Sequence, residues 1–364
     1  MPASDQIADA GPDWPALVAA LVDWYRANHR ELPWRPPPGQ TGDPYRVLVS
    51  EAMLQQTQVA TVVDYFNRFL AEFPTIQALA SASEEQVLSV WQGLGYYRRA
   101  RHLHRAAQRV LADHAGHVPD APASIRRLPG VGDYTAGAIA SIAFGRPEPI
   151  VDGNVARVLA RVMAVESSID EPPARKRLWA AARRAVEAAD QPGDLNQALM
   201  ELGATVCSPR GPRCPTCPAR PWCAAGRAGD AERLPKRSPR RPARPVDHVV
   251  LGIERRGRWL VEQRGRGGLW AGLWQLVTRE EPACDDHVAF VAERYGLRIA
   301  DPVELAGFVH LTTHKRITFR LLGATVEGGR LRPNVAAWRT PAGMASLPMS
   351  NAQRRAVELL RDRR

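Results

Sequence analysis

Nowhere in this 364-residue sequence is there an apolar run of the length, about 18 residues or more, that a membrane-spanning helix needs. The opening MPASDQIADAGPDWPA lacks the basic and apolar regions of a secretory signal, so a soluble, intracellular protein is expected. Lysine is almost absent: of 49 basic residues only Lys176, Lys236 and Lys315 are not arginine. No lysine precedes Lys176, which leaves the first half of the chain without an amine nucleophile. Cysteine is also sparse. Four of the five cluster at Cys207, Cys214, Cys217 and Cys223, with Cys284 alone, and in an intracellular chain that clustering favours a metal site over disulfides.

The length exceeds what one core usually serves, so two domains are expected, and a hydrophobic content of 45% is enough to bury them. A net charge of +11 points to a polyanionic partner, most simply nucleic acid, although ribosomal contact or plain solubility would also fit.

Up to about residue 206 the apolar residues recur at three- and four-residue spacings, as in helices. Asp43 is placed to cap a helix with Pro44 in its first turn, and Thr57 to cap the next, making Gln55-Gln56-Thr57 a corner between helices. Ser81 and Glu84 have capping-box spacing, and Gly93 reads as that helix's stop. Residues 224–245 are rich in proline and arginine with no apolar period, and read as an extended linker. Beyond it, HVVLGI, WLVEQ, GFVHL and ITFRLLGATV are short β-like runs among helical segments, which describes a small α+β domain.

Three stretches carry chemistry. In LPGVG, Gly130 and Gly132 form a turn between helices whose free N–H groups would bind a phosphate, though five such residues equally describe an ordinary helix-helix turn. In VDGNV, Asp152 precedes a helix whose dipole keeps a carboxylate ionised, or it is simply a helix cap. Glu51 lies among Val47, Leu48, Met53 and Leu54, where desolvation would raise its pKa and suit it to donate a proton; a solvated surface glutamate is the alternative. Two acids in contrasting environments are what glycosidic cleavage uses, one as proton donor and one as stabiliser of an oxocarbenium ion.

LPGVG followed by VDGNV, with LPWR, SEAMLQQTQV and WQGLGYYRRARHLH upstream, resembles the helix-hairpin-helix DNA glycosylases, and among them the MutY-type adenine DNA glycosylases. The resemblance implies a multidomain protein. An all-α helix-hairpin-helix glycosylase domain would span 12–206 and an iron-sulfur loop 207–223; after the 224–245 linker, a smaller α+β Nudix-like domain would occupy 246–364. It further implies a monofunctional enzyme that hydrolyses the N-glycosidic bond of adenine opposite 8-oxoguanine or guanine in base excision repair. The partner would be double-stranded DNA holding such a mispair, and the protein a monomer of bacterial, nucleoid-associated type with no membrane association.

By the same resemblance Glu51 protonates adenine, Asp152 stabilises the sugar cation and Asn154 assists it, while Tyr134 takes the place of the Schiff-base lysine of bifunctional relatives. Trp34, Arg35 and Gln197 would line the base pocket. Gln56 and Tyr96 would fill the gap left by the extruded nucleoside, with Tyr97 as an alternative to Tyr96, and Leu54, Gly130, Gly132, Arg210 and Arg213 would also meet DNA. Arg98, Arg99, Arg101 and Arg105 read as a solvated helix face. The C-x6-C-x2-C-x5-C spacing of Cys207, Cys214, Cys217 and Cys223 resembles the 4Fe-4S loop of this superfamily, with four-cysteine zinc as the runner-up. In the second domain GLWAGLWQL is the best local match, and the helix DDHVAFVAERYG lacks the acidic groups of a Nudix box, so pyrophosphate hydrolysis is not expected. Thr312, Thr313 and His314 stand where the family reads 8-oxoguanine through Phe-Ser-His.

Overall fold

The computed structural model describes residues 11–239, 242–265, 267–281, 285–334 and 336–362. Cys284 lies outside them. The chain divides into two units, one holding the residues up to Ala82 with Arg99–Pro239, the other Ser83–Arg98 with the chain beyond Pro239. Fifteen α-helices, three short 3-10 helices and seven strands are described in all.

The first unit is helical. Its elements are α1 (Trp14–Asn28), α2 (Pro44–Leu54), α3 (Val59–Glu72) and α4 (Ile76–Ser81), then, after α5 (Glu84–Val90) of the other unit, α6 (Arg98–Asp113), α7 (Pro122–Arg126), α8 (Asp133–Phe144), α9 (Gly153–Val162), α10 (Pro172–Glu187), α11 (Pro192–Thr205) and α12 (Ala224–Ala228). Asp43 caps α2 by accepting from the N–H groups of Tyr45 and Arg46, as its spacing predicts. Around a core of small and branched side chains, α11 packs on both α8 and α9, α2 lies on α8, and α1 lies on α11. Gly203 of α11 makes one of these contacts: a Cβ there would stand 2.6 Å from the Cβ of Asn154.

Several local expectations fail. The capping box belongs to Ser83 and Gln86, because α5 starts two residues later than the Ser81–Glu84 spacing implied. Gly93 lies beyond the end of α5 at Val90, and Trp91 takes the C-cap. Thr57 does not cap α3; Gln58 holds that position without a side-chain bond, and the Thr57 hydroxyl accepts from Arg99 instead. The front of the proline- and arginine-rich stretch is folded rather than extended. There the Cys223 sulfur caps α12, and Ala225, Ala231 and Leu234 are buried, apolar residues too few to make a visible period.

The second unit is a mixed sheet between helices. Strands β1 (Arg244–Arg255), β2 (Arg258–Gln263), β3 (Trp274–Glu280), β4 (Leu297–Ile299), β5 (Val303–Leu311), β6 (Lys315–Gly329) and β7 (Ala337–Arg339) run in the order β4-β6-β1-β3-β2-β7, with β5 also on β6. The central pair, β1 and β6, is parallel from Arg244–Lys315 to Glu254–Thr325. Val250, Leu276 and Phe319 pack on one face with α15 (Asn351–Asp362) and Met344 of α14 (Pro341–Ala345), while Val249, Val277 and Leu322 pack on the other with α13 (His287–Tyr295). Burial of both faces is why HVVLGI reads as continuous apolar sequence rather than as an alternation. Among the described residues no helix is long and apolar enough to cross a membrane.

Candidate active site

A cavity of about 490 Å³ opens in the helical unit, within the size range of small-molecule sites. Glu51, Tyr134, Asp152 and Asn154 all line it, together with Trp34, Arg35, Leu54, Gln56 and Gln197. Glu51 reaches it from α2, Tyr134 from the first turn of α8, Asp152 from the N-cap of α9, and Gln197 from α11. Residues far apart in sequence, from Trp34 to Gln197, thus share one hollow.

Glu51 is only 4% exposed. Burial pushes its carboxyl up to about 7, against the pull of a hydrogen bond from the Tyr134 hydroxyl and aided by the charge of Asp152. That places it near its midpoint at neutral pH, as a general acid requires. The same Tyr134 hydroxyl lies 3.2 Å from the Met200 sulfur, so its single proton has two acceptors within reach, and burial drives its phenol well above the ordinary value, which keeps it a neutral donor.

Asp152 caps α9, accepting from the N–H groups of Asn154 at 2.9 Å and Val155 at 2.7 Å and from the Asn154 amide at 3.2 Å. The helix start therefore supplies the donors the sequence promised, but it does not hold the group down. Burial outweighs those bonds and raises the Asp152 carboxyl above its ordinary value.

Three residues with no role in the sequence reading complete the site. Arg157 donates to the Asn154 side-chain oxygen at 2.8 Å, to the Gly203 carbonyl at 2.7 Å and to the Cys207 carbonyl at 2.8 Å, fixing the amide that bonds Asp152. Its place one turn after Asn154 was the available signal. Glu201, 1% exposed and one turn after Gln197, pairs with Arg30 at 2.6 Å and Arg35 at 2.9 Å. Burial alone would raise Glu201, but the two guanidinium groups more than offset it and hold the carboxyl below its ordinary value. Arg99, expected on a solvated face, is buried and donates to the carbonyls of Ala52, Met53 and Gln55 and to the Thr57 hydroxyl. It braces the corner in which Gln56 takes a left-handed φ of 59°.

Residues 49–184 match the HhH-GPD superfamily of base excision DNA repair proteins, and residues 248–359 match the NUDIX domain. A thymine-DNA glycosylase of Aeropyrum pernix is 36% identical over 54% of this chain, and the match covers 87% of that protein. The chain belongs to the HhH-GPD superfamily. Another relative is the human adenine DNA glycosylase, 50% identical over 54% of this chain and 36% of its own length. The adenine DNA glycosylase of Mycobacterium tuberculosis is 44% identical over 52% of this chain and 61% of its own. This chain therefore spans less than two thirds of the length of each of these adenine DNA glycosylases. The solved structure of a thermostable thymine-DNA glycosylase superposes with a TM-score of 0.52 at 26% identity, covering 59% of this chain and 97% of that one.

In this superfamily member the hairpin between α7 and α8 has Gly130 at a φ of 80°, where an added Cβ would lie 2.5 Å from His102. Gly132 differs: it is the N-cap of α8 in extended conformation, with open space around it and no side-chain cap. The first N–H groups of α8 thus lack a capping side chain, as an anion-binding turn needs.

Cys207, Cys214, Cys217 and Cys223 are free thiols lining one hollow with Arg161. Arg161, 1% exposed, donates to the Cys207 sulfur at 3.1 Å, the Ser208 carbonyl at 2.8 Å and the Leu234 carbonyl at 2.9 Å, and so ties the loop to α9. Among the described residues no three His, Cys, Asp or Glu side chains close on the space of a single ion. Four soft thiol donors lining one hollow are the donor set that an iron-sulfur group or a zinc ion takes. Arg210 and Arg213 are exposed on this loop, with Arg213 donating to the Thr205 carbonyl at 2.6 Å.

Other expected residues fall in the second unit. Tyr96 is 49% exposed with a left-handed φ of 47°, and its hydroxyl lies 2.9 Å from that of Thr313. Tyr97 is instead buried and donates to the Met349 carbonyl, so it is a core residue and not the alternative to Tyr96. Thr312 closes the β5–β6 turn, its hydroxyl accepting from the Lys315 N–H at 2.9 Å, and His314 is exposed beside it.

Proposed function

We propose that this protein is a monofunctional adenine DNA glycosylase that releases adenine mispaired with 8-oxoguanine or guanine. One observation carries the reading: a buried, half-ionised Glu51 and a multiply bonded Asp152 line the same cavity. The named relatives with adenine activity support the choice of base.

In this reading the adenosine leaves the duplex and enters the cavity. The Glu51 carboxyl gives its proton to a ring nitrogen of adenine, and the bond between N9 and C1′ breaks with its electron pair on the base. Positive charge develops on the deoxyribose, and the Asp152 carboxylate, oriented by Asn154, offsets it. Water adds at C1′ and gives a proton to the Glu51 carboxylate that the first step left ionised, which restores the acid. Tyr134 offers a phenol where an amine would form a Schiff base, so the strand is left intact. Gln56 and Tyr96 fill the vacated space, Thr312, Thr313 and His314 read the opposite base, and Gly130, Gly132, Leu54, Arg210 and Arg213 meet the DNA. Cys207, Cys214, Cys217 and Cys223 hold a 4Fe-4S cluster, which orders the loop bearing Arg210 and Arg213.

The test uses duplexes that differ only in the central pair, with free base and strand breaks measured separately. Adenine release opposite 8-oxoguanine and guanine, without breaks, is expected. Thymine release from a G:T duplex in its place would transfer the activity to that of the Aeropyrum relative's name. Iron and acid-labile sulfide in equal amounts are expected in the purified protein, whereas zinc alone would remove the cluster from the account.

A further inference from the structure

The outer face of α10 concentrates positive charge. Arg175, Lys176, Arg177, Arg183 and Arg184 are all exposed on this 16-residue helix, and Glu171 and Glu187 are the acids at its two ends. None of the five cations lines the cavity.

A helix chosen for stability alone carries acids near its N-terminus and cations near its C-terminus. Here the first turn has no acid, the N-cap Glu171 makes no side-chain cap, and three cations follow at once. Two further acids nearby are engaged elsewhere. Glu166 pairs with Arg233 and Lys236, and Asp170 accepts from the Ser238 N–H at 2.9 Å. The face therefore keeps a surplus of positive charge against the local dipole, and an external polyanion would neutralise it. Lys176 and Arg183 are seven residues apart, on one side of the helix and about 10.5 Å from each other along its axis, far enough to meet separate phosphates of a duplex rather than one.

We propose that this face of α10 is a second DNA-contacting surface, which takes the phosphate backbone of a duplex segment other than the one whose nucleoside enters the cavity. Such a surface binds without reading sequence and lets the protein hold two stretches of DNA during search. It requires only that the protein binds DNA, so it would survive failure of the adenine assignment.

The test replaces Arg175, Lys176, Arg177 and Arg183 together by Gln in the full chain and leaves Arg184 in place. Affinity for an undamaged duplex is then measured between 50 and 200 mM salt. With four phosphates no longer neutralised by the protein, the slope of log K against log salt should become shallower by about 3.6. A slope matching the parent's would overturn the proposal. If the fourfold variant does not fold, the pair Lys176→Gln and Arg183→Gln should still change the slope by about 1.8. Single-turnover base release from a short duplex centred on the mispair should be unchanged. A parallel loss there would assign α10 to the catalytic complex and sink the idea of a second segment. Disappearance of polyglutamate binding while the DNA slope stays constant would give the face to an acidic protein instead.

Discussion

Glu51 illustrates how one side chain acquires its chemistry from its surroundings. Its neutral form is the one the fold prefers, so the associated stability is complete below the unfolded value near 4.5 and lost as pH rises through about 7. Glu51→Gln removes that loss. The variant should gain up to about 3 kcal/mol relative to the parent between pH 5 and pH 8, read as a widening gap in Tm. In the proposed mechanism, base release by the parent should fall as pH rises past about 7, because Glu51 loses the proton it is to donate. The same variant should have lost that limb of the profile along with most activity. Asp152→Asn should reduce base release on the order of a thousandfold while binding to mispaired DNA persists, measured by gel shift beside a single-turnover assay. Full activity in that variant would remove Asp152 from the mechanism.

At the scale of elements, the α7–α8 hairpin separates two glycines that look alike in sequence. Gly130→Ala combines a left-handed φ with a 2.5 Å contact to His102, and should cost about 1–3 kcal/mol of stability and weaken DNA binding. Gly132→Ala meets nothing within 4 Å and should change Tm little. Equal losses in the two variants would show that the turn is not held as described. The α2–α3 corner depends on Arg99 in the same way. Arg99→Met leaves buried carbonyls of Ala52 and Met53 without this donor, an effect of about 1–3 kcal/mol in chemical denaturation. Gln56 loses its braced conformation with it, so affinity for mispaired DNA should fall as well.

For the whole molecule, the grouping of Ser83–Arg98 with the chain beyond Pro239 has a direct consequence. Tyr97 donates to the Met349 carbonyl and Asn351 to the Gly93 carbonyl, so the segment is held partly by the later chain. A chain ending at Pro239 should therefore be cut by trypsin at Arg98 faster than the full protein, followed by mass spectrometry. Equal rates would show that the segment stands without that support.

Much was legible in the residues themselves, wherever one short stretch sufficed. Asp43 before Pro44 marked the start of α2, four clustered cysteines marked a shared donor set, and the apolar runs after residue 246 marked a sheet. These signals are local, since caps, turns and periodicity depend on neighbours within a few positions. Other facts needed the fold. Arg99 reads as a surface arginine until α6 places it under the corner, and the alanines and leucine after Cys223 read as linker until α12 and Leu234 dock.

By itself, then, the sequence determined the helical and α+β halves and singled out the clustered cysteines and the two acids. Only the tertiary structure decided that Glu51 from α2, Tyr134 from α8 and Asp152 from α9 share one cavity, and that burial raises both carboxyls. The reason is physical: a pKa is set by the water and charge removed around a group, and those are supplied by residues far away along the chain.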